Sequence, residues 1–94
     1  MSKAHKITIE RFQDLGGLLE HSEGHGIFVD CGSHRMGVGS ILPLPDGRYV
    51  LNVTIMPEMQ VQGYKPCNLN SFYDTVESAA NAARTFLASQ RDEW

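Results

Sequence analysis

The chain has 94 residues, which leaves no room for a second independent core, so one domain is expected over 1–94. With 41% hydrophobic and 20% charged residues it falls in the globular range and outside the disordered one. The net charge of −3 and the single spacing of the eight basic residues argue against a nucleic-acid partner, which ordinarily calls for clustered Lys and Arg. No run approaches the ~20 apolar residues of a membrane span, and residues 1–6 lack the apolar core of a secretory signal, so a cytoplasmic protein is the simplest reading. On that reading Cys31 and Cys67 are expected as free thiols.

A domain this short buries only about 60–65% of the surface its unfolded chain exposes, and small domains often gain stability by self-association. A homodimer is therefore a reasonable expectation.

In chain order, Lys6–Ile7–Thr8–Ile9–Glu10 alternates like a strand, while Ile9, Phe12, Leu15, Leu18 and Leu19 recur at helical spacing. Gly16 and Gly17 would each weaken such a helix by about 1 kcal/mol, so a short strand followed by a helical turn is expected. Residues 21–26 read as loop. Gly26 to Cys31 is short, β-branched and bounded by glycine, and Met36 to Leu44 follows as a second strand. Gly37 and Gly39 within it suggest a bend, a bulge or a close backbone approach. Pro45–Asp46–Gly47 is a turn signal, and Arg48 to Met56 alternates cleanly, so the flanking strands should form an antiparallel hairpin. In that last strand Tyr49, Leu51, Val53 and Ile55 lie on one face, with Val50, Asn52, Thr54 and Met56 on the other. Gln60–Tyr64 reads as a short edge strand.

From Val76 the apolar positions Val76, Ala79, Ala80, Ala83, Phe86 and Leu87 trace one helical face, predicting a helix over roughly 74–91. Asp74 with Glu77, or Thr75 instead, would cap its first turn. The alanines permit close approach to a sheet. The fold class expected is α+β: an antiparallel sheet of three to four strands with the C-terminal helix packed on one face.

Three of the histidines and one cysteine fall close together: His21, His25, Cys31 and His34. Imidazole nitrogen and thiolate sulfur are zinc ligands, so a metal-binding protein is one alternative. The spacing matches no known signature, though, and a polar loop beside a half-buried thiol is the reading preferred, with no cofactor expected. Cys31 at a strand end should act as a small hydrophobe, and Cys67 as an exposed loop thiol. No nucleophile–base or phosphate-binding pattern occurs, which argues against an enzyme.

The segment Gln60 to Tyr73 holds Tyr64 and Tyr73, whose rings combine apolar area with a hydroxyl and suit a partner surface. Phe72 is expected to fasten the helix start to the core. Val50 and Met56 on the uncovered sheet face, and Trp94 at the chain's last position, complete the candidate partner-binding set. The function expected is a non-enzymatic protein-binding or homodimeric module, with metal binding and nucleic-acid binding as alternatives.

The run Ser71–Phe72–Tyr73–Asp74–Thr75–Val76–Glu77–Ser78–Ala79–Ala80–Asn81–Ala82–Ala83 resembles the helix start in small bacterial domains of unknown function. There an antiparallel meander precedes a Phe-, Thr- and Ala-spaced helix on one sheet face. The likeness covers about the last quarter of the chain, extends to DNA-binding integrase arms, and carries no functional residues with it. The integrase arms have a basic open face, which Arg48, Asn52 and Thr54 match poorly.

Overall fold

The structure is a computed structural model and describes residues 6–14, 23–30, 35–59 and 63–91. Five strands form one antiparallel meander in chain order: β1 (Lys6–Arg11), β2 (His25–Asp30), β3 (Arg35–Pro43), β4 (Tyr49–Ile55) and β5 (Cys67–Tyr73). The helix α1 (Val76–Ser89) lies across β3, β4 and β5 on one face. The α+β architecture is as the sequence implies, with five strands rather than three or four.

Alternation decides what is buried. Leu51, Val53 and Ile55 of β4 and Ile27 and Val29 of β2 point to the helix side and are buried, as are Val38 and Ile41 of β3. Ala79, Ala83 and Leu87 of α1 close over them with no measurable exposure. Alanine keeps the helix axis low over the sheet, and Leu87 supplies bulk at the far end, where full burial of one such side chain is worth about 1.5–3 kcal/mol. No buried residue among those described is polar or charged.

The helix cap is Thr75 and not Asp74. Thr75 has extended backbone (φ −138°, ψ 157°) and its Oγ1 accepts from the Ser78 N–H at 3.0 Å. Asp74 is one residue too early to reach that amide. The helix ends at Gln90, whose backbone N–H donates to the Leu87 carbonyl.

The hairpin turn falls at residues 45–47. Gly47 adopts φ +92°, and Asp46 accepts both from the Arg48 backbone N–H (3.0 Å) and from its guanidinium (2.9 Å). Those bonds, backbone first, hold the Asp46 carboxyl below its usual range. In β3 the register against β2 slips at Val38, where Ile27 pairs with Gly39 and Phe28 with Gly37. This is the bulge the two glycines imply. A Cβ on Gly39 would lie 2.1 Å from the Asn52 carbonyl oxygen, so β3 and β4 approach there as closely as glycine allows.

Residues 6–14 form strand β1 followed by a 3₁₀ turn at Phe12–Asp14, as the mixed periodicity implies. Of the edge strand expected at Gln60–Tyr64, residues 60–62 lie outside the described set; Gly63 turns with φ +89°, and Tyr64 forms an isolated bridge with Arg91. The fifth strand is Cys67–Tyr73, paired with β4 over its whole length.

Candidate protein-binding face

The sheet face opposite α1 is uncovered by any described element. Its composition follows from the same alternation that fills the core. Val50, Asn52 and Thr54 of β4 project there, and the register places them beside Phe72, Asn70 and Asn68 of β5. On the other side Leu42 and Ser40 of β3 stand opposite Val50 and Asn52. Farther across, Phe28 of β2 stands opposite Thr8 of β1.

One end of this face is apolar. The Phe12 N–H donates to the Gly24 carbonyl at 2.9 Å, carrying the β1–β2 ladder one step past Arg11 and His25. Phe12 then falls in line with Leu42, Val50 and Phe72 across the sheet. Gly24 and Gly26 make the floor beneath. A Cβ on Gly24 would come 2.5 Å from Leu42 Cδ2 and 3.0 Å from the Phe12 ring, and one on Gly26 would come 2.9 Å from the Phe28 ring. The side chains thus lie down on bare backbone and form a shallow platform. It is incompletely shielded: Phe72 is 52% exposed, Met56 just beyond β4 48%, and Leu42 39%.

The rest of the face is polar but uncharged over β4 and β5. Asn68 Nδ2 donates to Thr54 Oγ1 at 2.9 Å, and Thr54 in turn donates to Asn52 Oδ1 at 3.3 Å. Charges gather at two corners. Arg35 sits 4.4 Å over the Phe28 ring and binds Glu10 at 2.9 Å. Arg48 sits 5.2 Å over the Phe72 ring and binds Asp46 at 2.9 Å. Each arginine has a carboxylate and a ring as neighbours, an arrangement that orients aromatic faces more than it offers cation to phosphate. Exposed pairs of both kinds are worth at most about 1 kcal/mol.

The residues expected at a partner surface separate. Val50 and Met56 do lie on the uncovered side, Val50 half-buried and Met56 exposed. Tyr73 faces the helix side, opposite Tyr49, and is half-buried. Tyr64 is a correction: it is 5% exposed and part of the core, with the Arg91 guanidinium 6.0 Å from its ring. Together with the Lys65 N–H donating to the Gln90 carbonyl (2.9 Å), it ties the incoming chain to the C-terminal end of α1. Phe72 is the converse correction, since it faces away from α1 and cannot fasten the helix to the core. Trp94 lies outside the described residues.

Of the metal-ligand set, His21, Cys31 and His34 lie outside the described residues. His25 stands at the start of β2 opposite Arg11 and Ile41, and its buried Nδ1 has no hydrogen-bond partner among the described atoms. No group of three potential ligands occurs among the described residues. Cys67 is in β5 opposite Ile55, half-buried on the helix side, and not in an exposed loop. Burial pushes its thiol up, the opposite of what a nucleophile needs.

The aromatic members Phe12, Phe28 and Phe72 were not legible as a site from the sequence, because their shared face depends on register across five strands. The available signal was the alternation Asn68–Asn70–Phe72 against Cys67–Leu69–Ser71–Tyr73. No described helix is long and apolar enough to cross a membrane. Comparison with protein-family models, with curated proteins and with solved structures finds no match.

Proposed function

We propose that this chain is a non-enzymatic protein-binding module whose contact surface is the uncovered face of its sheet. The observation that carries this reading is the apolar row Phe12, Leu42, Val50 and Phe72, laid on Gly24 and Gly26 and left partly exposed between polar flanks. Core burial explains none of it, since the core lies on the other side of the strands. An apolar centre with a polar rim and aromatic side chains is the usual make-up of a protein contact. The ring-stacked arginines at its corners add the amphipathic groups that tend to dominate binding energy.

A nucleic-acid partner is a poorer fit. The corner cations Arg35 and Arg48 are each held by a carboxylate, and the polar strip of Asn52, Thr54, Asn68 and Asn70 carries no charge.

The test compares the wild-type chain with Leu42→Glu as bait in native lysate, with circular dichroism as the check on folding. A discrete protein retained by the wild type and lost by the folded variant supports the reading. Equal retention by both, or no retained protein at all, contradicts it.

A further inference from the structure

The two edges of the sheet are built differently. β1 carries Lys6, Glu10 and Arg11, and charged side chains on an edge strand oppose pairing with another chain. β5 reads Cys-Asn-Leu-Asn-Ser-Phe-Tyr: seven residues with no charge and no proline, paired with β4 at every position without a bulge. Among the described residues, β5 carries no charge, proline or bulge of the kind that blunts an edge.

The hydrogen-bond phase shows which groups this edge presents. The Leu44 N–H donates to the Arg48 carbonyl at 2.8 Å, making that a hydrogen-bonded pair. Such pairs alternate along an antiparallel ladder, so Val50 and Asn52 turn their backbone groups to β3, while Tyr49, Leu51, Val53 and Ile55 turn theirs to β5. Pro43, which has no N–H, accordingly falls opposite Tyr49 in a non-hydrogen-bonded pair. In β5 it is then Cys67, Leu69, Ser71 and Tyr73 that bond β4. The N–H and C=O groups of Asn68, Asn70 and Phe72 point away from the sheet, and no backbone hydrogen bond among the described residues takes them up.

The geometry points to a second copy of this chain on that edge, with two β5 strands paired antiparallel about a twofold axis at Asn70. The two five-stranded sheets then join into one. Self-pairing suits this strand. Asn70 meets its own copy, amide to amide, and Asn68 meets the copy of Phe72. Leu69 lies beside the copy of Ser71 on the helix side, and no charge meets its like. Joined in this way, the apolar rows of the two copies lie on one continuous face. The pairing stands apart from what covers that face, since it uses backbone groups at the edge.

The test is the oligomeric state by analytical ultracentrifugation up to millimolar concentration. The wild type is expected to dimerise, Asn70→Lys and Asn70→Glu each to weaken the dimer about tenfold or more, and an equimolar mixture of the two to recover it as a heterodimer. Asn70→Pro removes an outward N–H at a position where an edge strand tolerates proline, and should weaken the dimer while leaving the circular dichroism spectrum intact. Leu42→Glu, two strands from the edge, should leave the dimer unchanged while removing contacts to the open face, which separates this inference from the binding reading above. In the wild-type dimer the amides of Asn68, Asn70 and Phe72 should gain hydrogen-exchange protection with concentration. A strictly monomeric wild type, a dimer indifferent to both charged variants, or one broken by Leu42→Glu would overturn the inference.

Discussion

Two glycines in β3, only two positions apart, should respond to alanine with opposite signs. A Cβ on Gly39 would stand 2.1 Å from the Asn52 carbonyl oxygen and 3.0 Å from Val53 Cα. Both are backbone atoms of the paired strand, so relief requires β4 to shift beneath α1, where Leu51 and Val53 are fully buried. Forcing added volume into such a place costs about 1–3 kcal/mol, and backbone neighbours put Gly39 at the upper end. Removing a glycine recovers about 0.4–1 kcal/mol from the unfolded chain. The net loss for Gly39→Ala is about 2 kcal/mol, a drop of about 8–16 °C in Tm for a domain of this size. At Gly37 the added Cβ would meet only the Phe28 ring, at 3.7–3.8 Å, which is ordinary contact. Neither glycine has a positive φ. Gly37→Ala should therefore keep the unfolded-state gain and raise Tm by about 2–8 °C. Thermal and urea unfolding by circular dichroism measure both. A Gly39→Ala protein as stable as wild type, or a Gly37→Ala protein equally damaged, would refute the bulge and the close approach on which the argument rests.

Thr75→Ala should remove the acceptor for the Ser78 N–H and lower stability by about 1 kcal/mol, whereas Asp74→Ala should cost less, as chemical denaturation will show. The Cys67 thiol has its folded pKa raised by burial, so the stability it contributes is present below the unfolded thiol's pKa of 9.0 and is lost as pH rises through the higher folded value. In a Cys31→Ser background, Cys67 should then react with a maleimide near pH 8 more slowly than the same thiol in urea. Equal rates would contradict its placement on the helix side.

What was legible in the sequence followed from strong local periodicity. The period-two pattern of residues 48–56 and the 3.6-residue pattern of residues 76–87 report directly on one buried face each, and both gave the right side of the sheet. The paired Gly37 and Gly39 likewise signalled an irregular strand. β5 was hidden because its alternation sets Leu69 and Tyr73 against Asn68 and Asn70, with cysteine and serine diluting the apolar side and Phe72 appearing on the polar one. Tyr64 looked like an accessible aromatic because its partner in the fold, Arg91, lies at the far end of the helix. The platform of Phe12, Phe28, Leu42 and Phe72 arises only after five strands are placed in register over Gly24 and Gly26, information that no single window of residues contains.

The claim that the uncovered face is the contact surface is tested most directly by photo-crosslinking in the native host. A benzophenone side chain would be introduced at position 42 of the platform and, separately, at Arg84 on the exposed side of α1. A discrete crosslinked protein from position 42, absent from position 84, is the result expected. Crosslinks that are equal at the two positions, or confined to the helix, would contradict the account.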